Sequence, residues 1–148
     1  LRWRVADWRF LRLGYGDPGF ADCFAIRREV FVAEQNVPLA EEQDEHDGDA
    51  LHILALLDGK PVGTARVLRK DARTAKITRV AVLRRARGTG LGAALIREAE
   101  AASGARKFVL DAQSHALKFY ARLGYIAVGG EFLEAGILHR HMVKELAG

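Results

Sequence analysis

The chain has 148 residues and a mass of 16.3 kDa, 49% hydrophobic, 28% charged and with 3 prolines, which suits one folded domain over residues 1–148 and excludes disordered, collagen-like and low-complexity classes. No apolar run approaches the roughly 20 residues a membrane-spanning helix needs, and Leu1 to Leu13 alternates apolar with charged residues, unlike a secretion signal, so a cytoplasmic, membrane-free protein is expected. A single cysteine, Cys23, can form no internal disulfide and no thiolate cluster, which fits a reducing compartment.

Charge is segregated along the chain. Glu29 to Asp58 holds nine acids and no Lys or Arg, whereas Lys60 to Lys107 holds thirteen Lys/Arg against three acids. Such blocks read either as solvated faces of opposite sign or as sites for a cation and an anion. No aromatic residue interleaves with the basic block, which argues against a nucleic-acid partner.

In chain order, a first strand precedes Asp17-Pro18, an N-cap followed by proline at the first helical position. Phe20, Phe24, Arg27 and Phe31 then mark a helix ending near Gln35. Asn36 to Asp49 reads as a long loop, more often functional than idle at that length. Leu51 to Leu57 and Pro61 to Leu68 are strands joined by Asp58-Gly59, a strong hairpin signal. After the turn at Asp71 to Thr74, Lys76 to Leu83 is a further strand. Arg84-Arg-Ala-Arg-Gly-Thr-Gly-Leu-Gly92 leads into a helix over Ala93 to Ala102, which Gly104 stops. Phe108 to Leu110 is a strand, Ser114 caps a helix that Gly124 ends, and Tyr125 to Val128 and Ile137 to Val143 are the last strands. Antiparallel strands followed by a strand, helix, strand unit require a mixed, mostly antiparallel sheet of six to seven strands with flanking helices, an α/β (α+β) fold.

The strand, glycine-rich turn and helix around residues 82–93 put free backbone N–H groups and the positive end of a helix dipole at one point, an arrangement that binds phosphate. Gly88, Gly90 and Gly92 allow close backbone approach, and Arg84, Arg85 and Arg87 add charge. The Gly-Lys-Ser/Thr ending of a Walker loop is absent, and the glycine spacing does not match a dinucleotide fingerprint.

Arg87-x-x-Gly90-x-Gly92, directly after Val80-Ala-Val82, resembles the pyrophosphate-binding motif of the GNAT superfamily of acetyl-coenzyme A-dependent N-acetyltransferases. Phe119-Tyr120-x-x-Leu123-Gly124-Tyr125 is similar to that family's other common signature. Phe31-Val-x-Glu34-Gln35-x-Val37-Pro38, the acidic loop ending in His52, Ala112-Gln113 and Glu131 to Gly136 resemble the small ElaA/YjcF-like branch, although Gly136-Ile-Leu-His139 departs from the Gly-Ile-Pro-His expected there.

The resemblance implies a sheet splayed between its fourth and fifth strands and a direct acetyl transfer from acetyl-CoA to a primary amine, with no nucleophilic side chain and no metal. It implies that Val80, Ala81 and Val82 hold the pantetheine arm and polarise the thioester, and that Arg87, Gly88, Thr89, Gly90, Leu91 and Gly92 hold the pyrophosphate. Tyr120 is the expected proton donor to the departing thiolate, with a core aromatic as the competing reading. Glu34 is a candidate for binding or deprotonating the amine, with His52 and His115 as rival bases. Asp44, Glu45 and Asp47 read as a lure for a cation or a solvated loop. Gln113 either contacts substrate or caps the next helix. Arg79 is expected to pair with an acid of the Glu41 to Asp49 loop and to shape the acceptor pocket. His52 is also placed among the substrate contacts. Cys23 reads as core. His139-x-His141 lies on one strand face but lacks a third metal ligand. The alternative is a coenzyme A-binding sensor or a non-catalytic binding module, and open strand edges leave room for a homodimer.

Overall fold

The computed structural model describes residues 8–147; the part of the first-strand expectation that falls on residues 1–7 lies outside them. Seven strands form one sheet in the order β1-β2-β3-β4-β5-β7-β6. They are β1 (Trp8–Leu13), β2 (Leu51–Leu57), β3 (Lys60–Arg69), β4 (Thr74–Val82), β5 (Lys107–Gln113), β6 (Ile126–Glu134) and β7 (Ile137–Glu145). Every neighbouring pair is antiparallel except β4 with β5.

The hairpin turns follow from local chemistry. Asp58 and Gly59 adopt φ of 50° and 81°, and Ala135 and Gly136 adopt 51° and 76°. Two consecutive residues at positive φ match the twist of the strands they join. Between β3 and β4 the register pairs Thr64 with Ala81 but Arg66 with Thr78, so two residues of β4 face one of β3. This bulge holds Arg79 at φ 52°, rare for a residue with a side chain.

Helices cover both faces. α1 (Phe20–Arg27) lays Cys23 and Ile26 against Leu54, Ala81 and Leu83, and Val30, just beyond it, joins this cluster. Helix α3 (Leu91–Ser103) covers the other face, burying Leu91, Leu95, Ile96 and Ala99, and ends at Gly104 with φ 65°. There Ile53, Ala65, Ile77, Phe108 and Leu110 complete the larger core. A short α2 (Leu39–Glu42) follows α1, and α4 (Leu117–Arg122) follows β5.

Four local expectations are corrected. The first helix does reach Glu34, but from Arg28 it widens into π-helical geometry, in which the Gln35 amide donates to the Val30 carbonyl at 3.1 Å. Asp17 does not cap it: its carboxylate takes the Gly14 amide at 2.7 Å, leaving Gly19 at the cap. Nor does Ser114 cap the helix after β5, because its hydroxyl donates to Glu131 at 2.8 Å and the chain enters α4 through a 3-10 turn. The expected long loop contains α2 and a further 3-10 turn over Glu45–Gly48.

Candidate functional site

β4 and β5 pair only through Thr74–Lys107, Ala75–Phe108 and Lys76–Val109, then diverge. The splay opens a cleft of about 960 Å³, walled by Val80 and Val82 of β4, Gln113 of β5, Tyr120 of α4 and Glu34 of the π-helical stretch. Arg87 and Gly92 sit at its rim. A sheet that parts at a parallel pair leaves backbone groups of both strands without a partner strand, the usual place for a ligand in an open sheet.

The loop from Arg87 to Gly92 folds as a cradle. Gly88 and Gly90 adopt φ of 74° and 89°, turning the chain tightly before α3. Among the described residues, the amides of Gly88, Thr89, Gly90, Gly92 and Ala93 donate no backbone hydrogen bond; for Gly90, Gly92 and Ala93 this is expected at the start of a helix. Leu91 differs: its amide approaches the Thr89 hydroxyl at 3.4 Å and its side chain is buried. Thr89 in turn donates to the Ala86 carbonyl at 2.6 Å, pinning the loop. At Gly92 a Cβ would lie 3.3 Å from Phe119, so the residue lets α3 and α4 close at the cleft. Among the nearby arginines, Arg85 donates to the Pro61 carbonyl at 3.2 Å, whereas the Arg84 side chain is largely exposed.

Arg87 carries the rim's charge and ties it to the opposite wall. Its Nε donates to the Val82 carbonyl at 2.9 Å and its Nη2 to Glu34 Oε1 at 2.8 Å. The Leu83 amide bonds the Val62 carbonyl at 2.8 Å, so by antiparallel alternation Val82 turns its own N–H and C=O toward the opened side of β4. Ala81, the middle residue of the expected pantetheine stretch, buries its side chain under α1.

Tyr120 reaches the cleft from α4, wedged edge-on between Phe119 and Tyr125 at ring separations of 5.0 and 5.9 Å. Burial pushes its phenol up to about 12, so the hydroxyl is protonated at neutral pH. Gln113 caps nothing; its Nε2 donates to Gln35 Oε1 at 2.8 Å, joining the end of β5 to the end of the π-helical stretch. His115 also lines the cleft.

Glu42, Asp44 and Asp47 of the acidic segment are paired with arginines inside the protein instead of standing free in solvent. Asp47 and Glu42 bracket the buried Arg27 guanidinium: Arg27 Nη1 meets Asp47 Oδ1 at 2.8 Å, and Arg27 Nε meets Glu42 Oε1 at 2.5 Å. Arg66 joins Asp47 at 2.9 Å and Asp44 at 2.6 Å. Arg79 reaches back from the bulge to Asp44 at 3.2 Å and to the carbonyls of Glu41 and Glu42, so the expected pairing with this segment is present. Burial alone would raise the Asp44 and Asp47 carboxyls, but the guanidiniums outweigh it and hold both below their ordinary values. Glu45 projects into solvent, and Glu41 and Asp49 are also exposed.

His52 does not reach the cleft. It is fully buried beneath the Phe20 ring, and its Nε2 donates to the Asp47 carbonyl at 3.0 Å. Burial pulls its pKa down, so it is a neutral structural imidazole, not a substrate contact. Cys23 is fully buried, its thiol 3.8 Å from the Ile53 carbonyl.

Sequence reasoning missed the participation of Arg27 and Arg66 in this network, and the contact of Asp111 with His141 at 2.8 Å and Lys76 at 3.2 Å beside the point where β4 and β5 part. A cation inside an apolar helical stripe was the available signal for Arg27. His139 Nδ1 donates to the Ile137 carbonyl at 2.7 Å, so the two histidines of the His-x-His pair have separate partners. Among the described residues no three His, Cys, Asp or Glu side chains are grouped as metal ligands, and no helix is long and apolar enough to cross a membrane.

Known proteins share this architecture. Residues 15–146 match the acetyltransferase (GNAT) domain family. The uncharacterised N-acetyltransferase YjcF of Bacillus subtilis is 42% identical over 128 residues, 84% of this chain and 91% of its own length. The crystal structure of Escherichia coli ElaA superposes with a TM-score of 0.79 at 29% identity, covering 95% of this chain and 100% of that one. An acyl-CoA N-acyltransferase from Pseudomonas aeruginosa superposes with a TM-score of 0.78 at 32% identity, covering 95% and 99%. With a matching domain profile, a closely similar relative and the splayed sheet in agreement, the chain belongs to the GNAT acetyltransferase family.

Proposed function

We infer that the protein is an acetyl-CoA-dependent N-acetyltransferase that moves the acetyl group to a primary amine by direct attack within a ternary complex. The observation that carries this reading is the set of unpartnered amides of Gly88, Thr89, Gly90, Gly92 and Ala93, gathered at the start of α3 on the rim of the cleft. Their positive end of the helix, with Arg87 beside it, suits a diphosphate. The residues therefore fit the coenzyme's phosphates, and the cleft between β4 and β5 is large enough for its extended arm.

In this reading the neutral amine nitrogen attacks the thioester carbonyl carbon, forming the C–N bond. The Val82 N–H, turned to the open side of β4, donates to the carbonyl oxygen as it gains charge, supported by the backbone at Val80 and Ala81. The C–S bond then breaks, and the thiolate takes the Tyr120 proton, while the nitrogen gives up its own proton to water or a cleft carboxylate, from which the Tyr120 phenol is restored. Glu34 holds the acceptor's ammonium on the approach, and Gln113 and Arg79 shape the acceptor side. Because the two reactants meet directly, the rate gain comes from alignment and charge stabilisation.

A thermal-shift titration with acetyl-CoA, followed by a panel of primary amines monitored for released thiol, tests the assignment. Saturating acetyl-CoA should raise the melting temperature, since a ligand bound only by the native state must stabilise it. No stabilisation and no thiol release with any amine would refute it. Stabilisation without release would favour a coenzyme A sensor.

A further inference from the structure

The pair formed by Arg87 and Glu34 lies where the two reactants of the proposed reaction would meet. Arg87 opens the loop of unpartnered amides, yet its Nη2 is engaged by Glu34 at 2.8 Å. Both side chains line the cleft, with 41% and 23% of their surfaces exposed, so neither is locked in the core. A diphosphate seated on the neighbouring amides offers the guanidinium more charge and several acceptor oxygens, and it outcompetes a single carboxylate oxygen.

The segment that carries Glu34 is tethered across the cleft and does not travel with Arg87 if the guanidinium swings toward such a ligand. It ends the π-helical stretch, and the next residue, Gln35, is fixed across the cleft to Gln113 at 2.8 Å. Among the described residues, the other cation paired with its carboxylate is Arg84, 4.0 Å away on a side chain that is 82% exposed. Loss of Arg87 therefore leaves a carboxylate in the cleft wall without a close cation, beside the acceptor side marked by Gln113.

We propose that Glu34 and Arg87 form an exchangeable latch: the donor's diphosphate takes Arg87 and thereby frees Glu34 to bind the ammonium of the acceptor. This rests on the acetyl-CoA reading above and adds to it a donor-controlled positioning role for Glu34.

Coenzyme A itself is the probe, with affinity read by calorimetry. Glu34→Gln removes the competitor for Arg87 and should tighten coenzyme A by about two- to fivefold, the worth of a part-exposed ion pair. In wild-type protein carrying 13C-labelled glutamate, the Glu34 carboxyl resonance, assigned by its loss in Glu34→Gln, should move when coenzyme A saturates. Arg87→Gln, which frees Glu34 without any donor, should reproduce that shifted resonance while weakening coenzyme A. Unchanged or weaker coenzyme A binding in Glu34→Gln, or a Glu34 resonance that stays put at saturation, would overturn the latch and make Glu34 a brace that holds Arg87 for the diphosphate. Failure of wild-type protein to bind coenzyme A at all would instead refute the underlying acetyl-CoA reading.

Discussion

Replacing Asp47 by Asn tests whether the acidic segment is an internal brace. Asp47 Oδ1 receives Arg27 at 2.8 Å and Arg66 at 2.9 Å, and Oδ2 receives Arg27 again at 3.3 Å. The side chains of Arg27 and Arg66 are 1% and 3% exposed, so neither guanidinium can recover its hydration when the carboxylate loses its charge. Breaking a buried pair by removing one partner typically costs about 3–5 kcal/mol. For a chain of this size that lowers the melting temperature by roughly 6–20 °C. Urea unfolding followed by far-ultraviolet circular dichroism, with two-state behaviour checked by a second probe, measures the loss directly. Glu45→Gln, two residues away with a side chain 86% exposed, should leave the midpoint where it is. A cost below about 1 kcal/mol for Asp47→Asn would show that both arginines are solvated in the native state and would refute the brace.

Acidification probes the same network. Asp44 and Asp47 are held below their ordinary values, so their stabilisation is complete above the unfolded carboxyl pKa of about 4 and is lost as pH falls through the lower folded values; the urea midpoint should drop below pH 4, and more gently in Asp47→Asn. Tyr120→Phe should lower kcat by about 100-fold or more while the acetyl-CoA thermal shift is retained. With the phenol pushed up to about 12, the wild-type rate should show no alkaline loss from this group below roughly pH 11. Gly90→Ala meets no steric obstacle closer than 3.6 Å, but its φ of 89° is costly for a side chain; the variant should lose about 1–2 kcal/mol of stability and weaken coenzyme A in calorimetry. Cys23, fully buried with its thiol pushed up by burial, should react with a thiol reagent only across the unfolding transition.

What the sequence disclosed depended on how local its causes were. The hairpin at Asp58-Gly59 and the stop at Gly104 are set by the conformation of one or two residues, and both sit where the composition placed them. The glycines between Arg87 and Gly92 likewise announced a turn of exposed amides. The acidic run was misread because its partners are remote in sequence: Arg27 lies 15 residues before Glu42, and Arg79 lies 35 residues after Asp44. Charge counted along the chain cannot reveal that Glu42, Asp44 and Asp47 are met by arginines from α1, β3 and β4. The same limit explains Asp17, Ser114 and His52. Each has the right side chain for the role expected of it, and each is claimed by a competing partner, the Gly14 amide, Glu131 and the Asp47 carbonyl.

The cradle at the start of α3 is made of main-chain groups, and only a few of its positions constrain the side chain. In the reading proposed above, the acceptor wall is built from Gln113 and the β6–β7 tip, supplied by segments that do not shape that loop, with Glu34 linking the two through Arg87. On that reading, substitutions at Gln113 or the β6–β7 tip would redraw the amine preference and leave the donor grip untouched, whereas a change at Glu34 would register on both banks. A fold divided in this way would give its descendants wide latitude in what they modify and very little in what they modify it with.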